Sequence, residues 1–280
     1  MTESETQQSD TAGGNRWFPA PDPDAGMPFW YASLTTYWVY WQVPTQVLQP
    51  YVGDHYIAAD IGGSGLVVVN PQLYTSLFNN GQELTTETEF NIVVAPRSAG
   101  DRAPHGMALA DYLAGNDQTK LLGNLRMHVA CDDKVAVDAG RAVFGEPKFV
   151  TTFSYNVPTI NAADQHTWSW RCNDPHQSSQ FIFDLQVAEL TGRATAVNTS
   201  PITGYTYLDG RPVGSRWNPL GPAEQYDVSS PGDVVISFGG SSHPMRLDMQ
   251  EIIGTRPAVA MQVFASPPVC AESGPFYVDT

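Results

Sequence analysis

CDDKVAVDAGRAVFGEPKF, residues 131–149, carries the residue on which the reading of this chain turns, Lys148. The stretch leaves Cys131 through an Asp132-Asp133 turn and continues with strand-like signals through VAVDAGRAVF. It ends in Gly145, Glu146, Pro147 and Lys148, followed by the apolar FVTTF. Pro147 fixes the backbone just before the lysine, and apolar residues follow it, so Lys148 is expected to be at least partly buried. Burial disfavours an ammonium ion and lowers a lysine pKa. An ordinary amine, with a pKa of about 10.4, is neutral in only about one molecule in a few thousand at pH 7. A desolvated one attacks carbonyls directly. The plainer reading is a lysine that snorkels at a strand end with its head in water. The other two lysines, Lys120 in DQTKLLG and Lys134 in the DDK turn, read as solvated.

Working outward, the flanks are strand material. FWYASLTTYWVYWQV (29–43) is dense in aromatic and β-branched residues, which favour strands. LVVVN (66–70), TETEFNIVVA (86–95) and NLRMHVAC (124–131) read the same way, as do TWSWRC, QFIFDLQVAEL, GDVVISFGG and AVAMQVFAS further on. Helical signals are brief: PTQVLQPYV before Gly53, and GMALADYLAG closing at Gly115. Many strands, few helices and no βαβ alternation predict an α+β, predominantly antiparallel β fold, a barrel or sandwich. Residues 1–15, acidic and polar, read as a disordered tail, and residues 16–280 as a single domain without repeats or a linker.

The charge balance narrows the partners. Twenty-nine acids against 14 bases give a net charge of −15, which repels phosphate backbones and anionic membranes. No apolar run reaches the roughly 20 residues of a membrane span. The polar N-terminus lacks the basic and apolar regions of a secretion signal. Cys131, Cys172 and Cys270 do not form a disulfide framework. A cytoplasmic protein without nucleic-acid or membrane partners is the expectation.

The segment around Lys148 resembles the signature region of acetoacetate decarboxylases. That family has an Asp-Asp turn, then a Gly-Arg pair, then a Gly-x-Pro-Lys segment holding the Schiff-base lysine. Here these are Asp132 and Asp133, Gly140 and Arg141, and Gly145, Pro147 and Lys148. The aromatic strand with VPTQVLQPYV, and the run AVAMQVFASPPVCAESGPFYVD, are similar more loosely to the family's opening and closing segments. The resemblance implies a β-barrel or cone with few short helices, a homo-oligomer, no metal and no organic cofactor. It also implies a small-molecule oxo acid as substrate, with decarboxylation of a 3-oxo acid first. Aldolase or dehydratase chemistry through the same lysine enamine is the alternative, and a non-catalytic ligand-binding barrel a third.

Within that frame Lys148 is the expected nucleophile. Glu89 is the catalytic glutamate, with Glu87 competing because both face the same side of a strand. The Glu89-to-Lys148 separation exceeds the family's, through an insertion over residues 101–122. Phe149 stands where the family has a second lysine, Ala142 where it has an acid, and no arginine occurs around Leu34 to Thr36. Arg126 and His128 alternate along one strand and so are expected on one face. There Arg126 would anchor a carboxylate by bidentate pairing and His128 would move protons, if that face is not simply solvated. Arg141 is expected to brace the lysine segment more than to touch substrate, and Glu146 to be a possible proton handler.

Other signals carry less. His166, Cys172, Asp174 and His176 suit zinc by type but match no ligand spacing. GGSG (62–65) is neither a phosphate loop nor a nucleophile elbow, and reads as a hairpin turn.

Overall fold

The computed structural model describes residues 29–76, 84–157, 167–188, 190, 193–228, 230–266, 270–272 and 274–278. The expected tail over residues 1–15, and His166, lie outside them. In chain order the strands are β1 (Phe29–Val43), β2 (Tyr56–Ala58), β3 (Gly65–Ser76), β4 (Leu84–Pro96), β5 (Gly123–Cys131), β6 (Lys148–Val150) and β7 (Phe153–Asn156). Next come β8 (Trp168–Asn173), β9 (Phe181–Val187), β10 (Ala194–Asn198), β11 (Ile202–Leu208), β12 (Arg211–Trp217) and β13 (Pro222–Tyr226). The last are β14 (Val234–Phe238), β15 (Ala260–Ser266), β16 (Cys270–Glu272) and β17 (Phe276–Tyr277). The α-helices are α1 (Thr45–Val52), α2 (Leu109–Leu113), α3 (Lys134–Phe144) and α4 (Pro244–Ile252).

Thirteen strands make one large mixed sheet, and β14, β9, β8 and β7 make a small antiparallel one. β3 pairs with β1 on one side and β4 on the other, and β4 pairs with β5. β5 then pairs in parallel with both β6 and β11. β16 touches both β1 and β12, so the sheet curls into a cone, while β10 and β2 remain as edges. This is the mostly antiparallel α+β architecture expected, as an incompletely closed cone.

β1 shows why the aromatic run folds here. Tyr37, Val39, Trp41 and Val43 join an outer core with Trp170, Phe183 and Leu185 of the small sheet and Met245 and Met249 of α4. Leu34, Trp38 and Tyr40 face an inner core with Val68, Val93, Trp217 and Phe264. From Thr36 to Trp41 both faces of the strand are buried, which suits its run of aromatic and β-branched residues. No helix among the described residues is long and apolar enough to cross a membrane.

One element corrects the sequence reading. The strand-like VAVDAGRAVF is helix α3. Its apolar residues Ala136, Val137, Gly140, Val143 and Phe144 are buried at helical spacing. The Asp133 carboxylate caps its start by accepting from the Val135 N–H at 2.7 Å, and Gly145, at φ 66°, ends it in the left-handed region. The β-branched valines masked that period. α4 and strands β10 to β13 were not anticipated either.

Candidate active site

The Asp-Asp turn fixes the geometry around Lys148. The Asp132 carboxylate accepts from the Thr86 N–H at 2.8 Å, and the Asp132 N–H donates to the Thr86 carbonyl at 3.0 Å. The turn is thus stapled to β4 one residue before Glu87. Helix α3 then runs to Gly145, and the chain returns through Glu146 and Pro147 to place Lys148 opposite Val129 in the parallel β5–β6 pair.

Lys148 is 6% exposed, and its Nζ lies 2.6 Å from Glu87 Oε2 and 3.4 Å from Glu146 Oε2. Glu146 also reaches Arg126, 3.3 Å from Nε, and Glu89 reaches the same nitrogen at 3.1 Å. Arg126 Nη1 donates to Ser215 Oγ at 3.3 Å. The Tyr74 hydroxyl donates to Glu87 Oε2 at 3.0 Å, and Asn91 Nδ2 to Glu89 Oε2 at 2.9 Å. Two glycines admit this packing: a Cβ on Gly140 would collide with Glu146 Oε2 and Lys148 Cδ, and one on Gly204 with the Arg126 guanidinium. The cluster floors a cleft also lined by Tyr31, Gln72 and Trp217.

The electrostatics differ from the expectation. Burial does push the Lys148 ammonium towards neutrality, but Glu87 and Glu146 outweigh it and hold its pKa well above the ordinary lysine value. Lys148 rests as a cation, and the expected low pKa is not found. Burial raises Glu146 too, yet Lys148 and Arg126 bring it below the usual carboxylate range. Glu87 goes the other way: burial raises it, Lys148 opposes, and the neighbouring Glu146 and Glu89 reinforce the rise. Burial is the larger cause, and the count adds to it, since three buried carboxylates face two cations. Burial also keeps the Tyr74 hydroxyl and the Cys131 thiol protonated.

Lys148, Glu89, Arg126 and Glu146 therefore meet in one cluster. The acid on the lysine is Glu87, however, and Glu89 pairs with Arg126. His128 is elsewhere. Pairing of β4 with β5 slips between Phe90 and Asn91, which oppose His128 and Arg126, leaving Met127 as an extra residue. This bulge puts Arg126 and His128 on opposite faces, so the simple alternation read from the sequence fails. His128 instead meets Asp248 of α4 at 2.6 Å and stacks near Phe90. Arg141 is exposed and braces the lysine segment, its Nε donating to the Lys148 carbonyl at 2.6 Å. Phe149 packs on His243, with ring centroids 4.3 Å apart. The span Leu34 to Thr36 adds no cation. Tyr74, Ser215 and Trp217 were not anticipated. Tyr74 lies on β3 four residues beyond the LVVVN run (66–70) read as a strand, and nothing local marks the other two.

No family model matches the chain, and no curated protein matches it in sequence. Solved structures do match in fold. The enduracididine biosynthesis enzyme MppR aligns with a TM-score of 0.63 at 10% identity, over 93% of this chain and 89% of that one. An acetoacetate decarboxylase aligns at 0.59 and 11% identity, over 98% and 97%. An acetoacetate decarboxylase-like enzyme from Sphingomonas wittichii RW1 aligns at 0.58 and 11%, over 91% and 94%. The chain therefore has the acetoacetate decarboxylase-like fold.

Proposed function

We propose that this chain is a Schiff-base-forming lyase for a small or medium oxo acid, with Lys148 as nucleophile and Glu87 as its proton partner. The observation that supports this most is the buried Lys148 Nζ at the floor of a cleft, 2.6 Å from a carboxylate whose pKa is raised. An ammonium cannot attack, so the proton must leave first. Glu87 is placed to take it, and its raised pKa narrows the gap between donor and acceptor.

The neutral amine adds to the substrate carbonyl: the N–C bond forms, and the π pair moves to oxygen, which takes a proton. The nitrogen then loses a proton, and the hydroxyl leaves as water with the proton that Glu87 holds. The resulting iminium draws in an electron pair. In decarboxylation the pair comes from the C–CO₂ bond, giving an enamine and carbon dioxide. Protonation at carbon and hydrolysis return the ketone and the free lysine. Tyr74 holds the Glu87 carboxyl in place throughout.

A second reading shares the enamine but not the gas. Arg126 is already engaged by Glu89, Glu146 and Ser215, which makes it a weak anchor for a carboxylate that must be held and lost. An enamine formed by removing an adjacent C–H proton could instead attack an aldehyde and then lose water. MppR, similar in fold, has been observed with the condensation product of pyruvate and imidazole 4-carboxaldehyde.

Borohydride reduction in the presence of acetoacetate or pyruvate, followed by peptide mass spectrometry, tests the nucleophile. The expected result is an adduct on Lys148 that disappears in Lys148→Ala. Saturable binding with no adduct, unchanged in that variant, would make the cone a non-catalytic binder. Carbon dioxide release then separates decarboxylation from condensation.

A further inference from the structure

Gln72 stands directly across from Glu87 in the β3–β4 pair. Their side chains therefore share the inner face, with Cβ atoms about 5 Å apart. Lys148 reaches the same Glu87 from the opposite direction, out of β6. An amide and an amine thus flank one carboxylate. Gln72 is 3% exposed and lines the cleft.

The charged groups around it are already engaged. Lys148 and Arg126 lie against Glu87, Glu89 and Glu146, and the Tyr74 hydroxyl donates to Glu87. Gln72 makes no side-chain hydrogen bond to any described residue. The Trp217 indole nitrogen lacks a partner too, but it is sealed, whereas both amide atoms of Gln72 keep some surface. In so enclosed a residue that surface opens on the cleft. Buried polar groups are seldom left unpaired, so the amide points to a ligand atom as its partner. Charge decides which atom. Three carboxylates already face two cations here, and a substrate carboxylate at Gln72 would add another negative charge beside Glu87, which like-charge repulsion opposes. A carbonyl oxygen arrives neutral. As the amine adds, nitrogen gains positive charge while oxygen gains negative, so the net charge of the cleft does not change.

We propose that Gln72 is a further catalytic residue, its Nε2–H donating to the substrate's carbonyl oxygen while Lys148 attacks the carbon; this rests on the Schiff-base reading of Lys148. The Nζ–C bond forms, the C=O π pair moves onto oxygen, and the amide donor stabilises the alkoxide so formed. A proton then moves from nitrogen to that oxygen, leaving the carbinolamine. Gln72 keeps its own protons and acts by holding a donor where charge develops. It reads the carbonyl and not the acid group, so the neutral methyl ester of an oxo acid engages it as the free acid does.

The experiment is cyanoborohydride trapping of acetoacetate and of methyl acetoacetate, with initial rates followed over a range of substrate concentration in wild type and Gln72→Leu. The maximal rate should fall by about 10²–10³-fold for both compounds alike, with half-saturating concentrations little changed. Arylation of Lys148 by dinitrofluorobenzene needs no donor at a carbonyl oxygen and should keep its wild-type rate. Gln72→Met, of similar length and without the donor, is the substitute should Gln72→Leu fail to fold. A loss confined to acetoacetate, with a raised half-saturating concentration, would place the acid group at Gln72 and overturn the proposal. So would unchanged trapping, or an equal fall in arylation, which would mean that the amine itself had moved. Each of those results leaves the Schiff base standing. If wild type traps neither compound, the Schiff-base reading falls, and this role for Gln72 falls with it.

Discussion

The two faces of β4 are equally buried and chemically opposite. Thr88, Phe90, Ile92 and Val94 are shielded from solvent on the side of the small sheet. Glu87, Glu89 and Asn91 are nearly as buried on the side of the cone's interior. The outer face is held by burial of apolar surface, worth about 1.5–3 kcal/mol for a large side chain. The inner face carries charges whose desolvation is offset by pairing among themselves and by hydrogen bonds. One face supplies stability, and the other spends part of it on keeping three carboxylates and two cations together at the cleft.

That contrast breaks most visibly on the outer face. Phe90→Ala should destabilise by about 3–5 kcal/mol in denaturant titration, with trapping per folded molecule unchanged. If it also removes the adduct, the faces are not independent. Glu87→Gln should do the reverse: trapping slows by about 10²–10³-fold, with a smaller change in stability because Glu146 still faces Lys148. Without the Glu87 carboxylate the Lys148 pKa falls, so the pH profile of the remaining trapping should move to lower pH. Its stability profile should change too. Lys148's raised pKa adds stability below the unfolded value of about 10.4, lost as pH rises through the folded value. That alkaline loss should be smaller in Glu87→Gln.

Smaller effects sharpen the picture. Tyr74→Phe should lower stability by about 1–3 kcal/mol and slow trapping less than Glu87→Gln does, because the hydroxyl holds the acid and does not take its place. Glu146→Gln should flatten the acid limb of stability, since a depressed carboxyl contributes above its unfolded pKa and loses that contribution as pH falls through the folded one. Arg141→Lys should change stability by no more than about 1 kcal/mol, because the side chain is exposed and makes a single bond to the Lys148 carbonyl.

The fold class was legible, and Lys148 could be singled out as the buried lysine, because both rest on local signals. The aromatic β1 and the valine run of β3 read as strands from their residue types alone. Lys148 stood out by its Gly-x-Pro-Lys setting. What was not legible depended on distant partners. The lysine's pKa was read from burial alone, because nothing near it in sequence shows that Glu87, 61 residues away, would sit beside it. The choice between Glu87 and Glu89 hung on which end of β4 the Asp132 staple fixes, a contact between separate strands. α3 is a different failure: its caps and spacing were present, and valine propensity was allowed to override them.

The extra residue at Met127 has a consequence for how such a strand can be rewritten. Every side chain after it in β5 is read in a different frame from those before it. Removing that one position would give a regular ladder in which Arg126 still faces inward opposite Asn91 and His128 still faces outward opposite Phe90. The bulge is thus what lets two side chains of equal sequence parity face opposite sides, one towards the charged cluster and one towards α4.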